Sequence, residues 1–181
     1  MIRRRTHSFS RRWRCGRGAV RALVLWEHSI RGTEPNWADW YTNFAQGLAG
    51  PLLPTQYQEA AALAQRVSQA VGGARLTMAG HSLGGGLAAD AAIATGRSAV
   101  TFNAAGLNVL TTIYEGGLFF GGSVINYSVE GEILTTLQDH TIAPGAFGQQ
   151  YEIAPAPQDA GDSPIQLHYI TSVLDALGMP S

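Results

Sequence analysis

A chain of 181 residues, 45% of them apolar and 14% charged, is long enough for one domain around one sizeable core. Eight of its twelve arginines fall between Arg3 and Arg21, while thirteen acids face four arginines from Glu27 onward, so the body is net negative and excludes nucleic acid as a partner. The single cysteine, Cys15, excludes an internal disulfide framework, and no apolar run reaches the ~18 residues of a membrane-crossing helix.

Residues 1–18, MIRRRTHSFSRRWRCGRG, read as a basic, solvated and disordered head, with one domain over 19–181. Arg17 and Arg21 interrupt the apolar segment that a cleavable secretory signal needs, and Arg11-Arg12 fails as a twin-arginine signal for the same reason. The expected setting is therefore the cytoplasm, or export by a route without a signal peptide.

Residues 19–30, AVRALVLWEHSI, read as a buried strand that ends at the loop RGTEP. Trp37, Trp40, Tyr41 and Phe44 recur at helical spacing over 36–48 and form either core or the wall of an acyl pocket. After the breaker AGPLLP, Thr55 and Gln58 have the spacing of a capping box, and a helix runs on to Gly72-Gly73. A short strand, RLTMA, then leads through a glycine-rich turn into the helix LAADAAIAT, which ends at Gly96. SAVTFN and SVINYSVEG predict two more strands, joined by an apolar connection in which Leu118, Phe119 and Phe120 lie between glycine pairs. That connection is either a crossover packed on the sheet or an apolar lip that meets a membrane or lipid aggregate. Ile170, Val173, Leu174 and Leu177 mark a last helix, opened by His168 and closed by Gly178. Strands alternating with helices predict an α/β fold, a mostly parallel sheet with helices on both faces.

In such a sheet chemistry gathers at the carboxyl ends of the strands, where the turn Gly80-His81-Ser82-Leu83-Gly84 falls. Small residues around Ser82 permit the sharp, strained strand-to-helix turn that exposes a nucleophile. A serine hydroxyl needs a histidine to take its proton and a carboxylate to orient that histidine. Downstream are His140, in the polar stretch LQDHTIAPG, and His168, the favoured base. The acid candidates are Glu130 and Glu132 after VINYSV, with Asp139 behind them. The backbone N–H of Leu83 is one expected donor to the oxyanion of acyl transfer.

The blocks IRGTEPNWADWYTN, GHSLGGGLA, TFNAAGL, INYSVEGEIL and LHYITSVL together resemble the class 3 lipase family, of the α/β-hydrolase fold, from Val24 to Leu177. The resemblance implies a three-layer αβα sandwich and hydrolysis of lipid acyl esters, with Ser82 as nucleophile, His168 as base and Glu132 as the acid, where the family usually has aspartate. It supplies Thr33 as the second oxyanion-hole residue; the substrate-facing candidates, Trp37 from the aromatic stripe and Phe119 and Phe120 from the apolar connection, come from the residues themselves. The family carries several dozen residues ahead of its RGT block, where this chain has its arginine-rich head, and the expectation is a fold shortened at its N-terminal side. No cofactor and no metal are implied. The alternatives are an acyltransferase or thioesterase with the same three residues, and a catalytically inactive lipase-like binding domain.

Overall fold

The computed structural model describes residues 21–25, 53–107, 123–141 and 143–179. Five strands, β1 (Arg21–Leu25), β2 (Leu76–His81), β3 (Ser98–Phe102), β4 (Val124–Val129) and β5 (Gln149–Ile153), form one sheet in sequence order. Every neighbouring pair is parallel, in a register that aligns Met78 with Ala99, Ala99 with Val124, and Phe102 with Tyr127. Helices α1 (Leu53–Val71) and α2 (Leu83–Thr95) precede and follow β2, α3 (Ile133–His140) follows β4, and α4 (Ile170–Ala176) closes the described chain.

The pleat sends alternate residues to opposite faces, and two separate cores result. Leu76, Met78, Ala99 and Val124 pack on one face with Tyr57 and Ala64 of α1 and Ala88, Ala91 and Ala92 of α2. Phe102, Val129 and Ile153 on the other face pack with Leu167 and with Ile170, Val173 and Ala176 of α4. Right-handed crossovers between strands laid down in one direction put their helices on a common face, as α1 and α2 are. The described elements are thus three layers of an α/β fold.

Several expectations are corrected. The predicted capping box at Thr55 is not where the helix begins: α1 starts at Leu53, so Pro54 lies in its first turn, where a missing N–H costs nothing, instead of breaking the chain. His140 lies not in a polar loop but at the last position of α3, its Nδ1 bonded to the Thr136 carbonyl one turn back. β5 escaped prediction because four of its five residues are exposed, which leaves no alternation to read. His168 does not open the last helix; it sits in a turn two residues before Ile170, with Tyr169 as the N-cap of α4. The arginine-rich head, the predicted helix over 36–48 and the connection holding Leu118 to Phe120 lie outside the described residues. Among the described residues no helix is long and apolar enough to cross a membrane.

Candidate active site

Ser82 is the single residue between β2 and α2, with φ 56° and ψ −127°. A side chain in that region costs on the order of 1–3 kcal/mol, and the surroundings must hold it there. The Ser82 N–H donates to the Phe102 carbonyl at 3.1 Å, and its own carbonyl accepts from Gly85 at 3.0 Å and from Ala105 at 2.9 Å. Two glycines make the turn sterically feasible. A Cβ on Gly80 would lie 2.0 Å from the Gly84 carbonyl oxygen, and one on Gly85 would lie 2.6 Å from the Ala104 Cβ.

Glu132 reaches the same place from β4. It is the N-cap of α3, and its carboxylate accepts from the backbone N–H groups of Leu134, at 2.8 Å, and Thr135. A carboxylate here satisfies orphan donors of the helix start, a role more often taken by the shorter aspartate, and the positive end of the helix favours the ionised form. The other carboxylate demand comes from His168, whose Nδ1 lies 2.6 Å from Glu132 Oε2. Burial by itself would raise the Glu132 pKa, but the bonds from His168 and Thr135 outweigh it and hold the group below the usual carboxylate range.

His168 completes the chain, with Nε2 3.0 Å from Ser82 Oγ. A proton on Nδ1, donated to Glu132, leaves Nε2 as the acceptor for the serine hydroxyl. All three side chains are buried, Ser82 and Glu132 completely and His168 to within 4%. Connected this way, they can move a proton off Ser82 Oγ while keeping the charge that develops on the imidazole next to a carboxylate.

Of the predicted site residues, the structure thus brings together Ser82, His168 and Glu132. Glu130 is exposed in the turn after β4, and Asp139 is exposed on α3. Leu83 opens α2, so its N–H is one of the first four that have no acceptor within the helix. Thr33, Trp37, Phe119 and Phe120 lie outside the described residues. Among the described residues no group of three or more histidine, cysteine or acidic side chains could hold a metal ion.

Two residues around the site were not anticipated. His81 sends Nε2 to the His168 carbonyl at 2.7 Å, with the two rings 5.0 Å apart. Burial, and next the nearby His168 charge, push its pKa down to about 4. Asn103, fully buried, donates to the carbonyls of Leu167 and His168. The only sequence signal for it was an asparagine directly after a strand, a residue type that tolerates positive φ; here φ is 41°.

Residues 15–156, more than three quarters of the chain, match the phospholipase-like Tle-like phospholipase domain. The chain is also similar to the extracellular phospholipase A1 of Serratia liquefaciens, 40% identical over 128 residues. That stretch covers 66% of this chain and 39% of the Serratia protein, so the chain spans well under half the length of that relative.

Proposed function

Because the chain belongs to the family of Tle-like phospholipase domains, we propose that it hydrolyses phospholipid acyl esters as a serine hydrolase, with Ser82 as nucleophile, His168 as general base and acid, and Glu132 as the orienting carboxylate. The observation that carries this reading is the unbroken hydrogen-bonded chain from Ser82 Oγ through both nitrogens of His168 to Glu132, at the carboxyl ends of parallel strands. Such a chain also favours an active enzyme over a lipase-like binding domain. The α/β-hydrolase fold and the kinship with class 3 lipases belong to the same proposal, supported by the sequential parallel strands and the strained turn at Ser82.

In the acylation half, Ser82 Oγ bonds to the ester carbonyl carbon as its proton passes to His168 Nε2. The imidazolium is stabilised by Glu132. The carbonyl electron pair moves onto oxygen, toward the Leu83 N–H and, as the resemblance implies, Thr33. Collapse of the tetrahedral intermediate breaks the ester C–O bond, and the leaving alkoxide, a lysophospholipid, takes the proton from His168. In the second half water gives its proton to His168 and attacks the acyl-enzyme, and the fatty acid leaves as Ser82 Oγ regains that proton.

The substrate class rests on the relative, a phospholipase A1. Its extracellular setting is extended to this chain as part of the proposal. Incubation of the purified protein with phosphatidylcholine vesicles should release equal amounts of fatty acid and lysophospholipid, read by mass spectrometry. A fluorophosphonate probe should label the wild type and not Ser82→Ala, whose kcat should fall on the order of 10⁶-fold. Hydrolysis that survives Ser82→Ala, or a folded wild type that neither labels nor hydrolyses, would overturn the reading. Transfer of the acyl group to an added alcohol in preference to water would replace hydrolysis with acyl transfer.

A further inference from the structure

Asn103 takes no part in the proton transfers above, yet its whole side-chain amide is spent at this site. Nδ2 donates to the Leu167 carbonyl at 3.2 Å and the His168 carbonyl at 3.1 Å, and Oδ1 accepts from the Val129 N–H at 2.9 Å. Its backbone N–H donates to the Tyr127 carbonyl at 2.8 Å. The His168 carbonyl receives a second donor, His81 Nε2.

The geometry points to Asn103, seconded by His81, as the positioning residue that sets His168 against Ser82 and Glu132 by holding the main-chain carbonyls of Leu167 and His168. The inference rests on the reading of Ser82, His168 and Glu132 as the reacting group.

His168 belongs to neither a helix nor a strand. The backbone bonds at its own position are short-range, His168 to Ile165 and Tyr169 to Gln166. The Ile133 N–H ties the start of the turn to α3 through the Pro164 carbonyl at 2.8 Å, four residues earlier, and leaves the His168 end to be placed by other bonds. Placement requires bonds from the sheet itself, and Asn103 at the end of β3 and His81 at the end of β2 supply them. The tolerance is small: with Nε2 3.0 Å from Ser82 Oγ, a shift of about 1 Å takes the pair beyond hydrogen-bond reach.

Asparagine suits the position on three counts. It offers two donors to two successive carbonyls, it keeps an acceptor for Val129, and it tolerates φ 41°. Aspartate would present a carboxylate to two carbonyl oxygens. His81 suits its position because it is neutral: it adds a donor without a positive charge beside the imidazolium that His168 becomes.

The test uses the full chain, a soluble short-chain ester and Asn103→Gly, which accepts the backbone conformation and removes the amide. The expected result is a fall in kcat of roughly 10²-fold with KM nearly unchanged, together with loss of the far-downfield proton NMR signal of His168 Nδ1. The control is Asn126→Ala. Asn126 is equally buried but bonds Thr101, the Ala104 N–H and Gln150 instead of the His168 turn, so its loss should lower the melting temperature and leave kcat nearly intact. If Asn103→Gly does not fold, His81→Ala decides, with an expected drop in kcat of roughly tenfold. Wild-type kcat in a folded Asn103→Gly or His81→Ala, or a loss no larger than in Asn126→Ala at equal stability, would overturn the inference. Failure of the wild type to show Ser82-dependent hydrolysis would instead sink the functional reading beneath it.

Discussion

Ser82 is held in part by its own neighbours, with Gly80 clearing the space for the turn and Gly85 and Gly86 donating to its carbonyl within the first turn of α2, and in part by the end of β3, through the Phe102 carbonyl and the Ala105 N–H. The partners of His168 are distant in sequence. Glu132 lies 36 residues away, Asn103 65 and His81 87. A turn that depends on sterics within a few residues forms wherever the chain carries the right small residues. A turn that depends on long-range hydrogen bonds exists only once the sheet has assembled. The nucleophile's turn is therefore encoded in good part locally and completed by its neighbouring strand, whereas the placement of its base is a property of the whole fold.

This contrast can be sharpened first at the distant carboxylate. Glu132→Gln keeps an oxygen for the helix N–H groups but removes the charge that stabilises imidazolium, so kcat should drop on the order of 10⁴-fold while the fold persists. Glu130→Gln, on an exposed side chain, should change kcat little, and steady-state kinetics on one ester separate the two. Equal losses would mean that the 2.6 Å bond from His168 to Glu132 has no special role.

The serine side of the comparison breaks at Gly85, where the helix start meets the segment after β3. Alanine there gains ~1 kcal/mol of helix propensity but forces a Cβ to 2.6 Å from the Ala104 Cβ, and overpacking of that kind costs ~1–3 kcal/mol. A net loss of up to about 2 kcal/mol should appear in denaturant melts, with activity falling because the helix start beside Ser82 must shift. An alanine variant as stable and active as the parent would show that the close approach of α2 to the 103–105 segment is dispensable.

The smallest expected effect is in pH dependence. His81 titrates at about 4 in the fold against 6.5 in its absence, so over that interval the unfolded chain binds a proton that the folded chain refuses. Stability is fully present above 6.5 and declines as pH falls toward about 4. Glu132, held below its ordinary 4.5, adds a further loss on descending through and beneath that value. The melting temperature should therefore fall on acidification, and His81→Gln should flatten the upper part of the slope. An identical slope in that variant would place the titration elsewhere.

The same division explains what was legible in the sequence. The glycine pattern around Ser82, the strand before it and the alanine-rich helix after it could be read because each depends on neighbours within a few positions. α1 was legible from the Thr55–Gln58 spacing and the closing Gly72-Gly73, although Pro54, read as part of a breaker, lies in its first turn. β5, with four of five residues exposed, carries no hydrophobic period, and α3 was hidden by the polar LQDH that ends it.

By itself, then, the sequence determined an α/β chain with a strained serine turn, because hard-sphere sterics and hydrophobic periodicity act over a handful of residues. It favoured His168 over His140 as the base and left Glu130 and Glu132, with Asp139 behind them, as the acids, and the resemblance favoured Glu132. Only the tertiary structure decided which carboxylate meets the imidazole, and only it brought Asn103 and His81 to the His168 carbonyl. A hydrogen bond must be aligned to within a few tenths of an ångström, and across 36 to 87 residues that alignment is set by the register of packed strands.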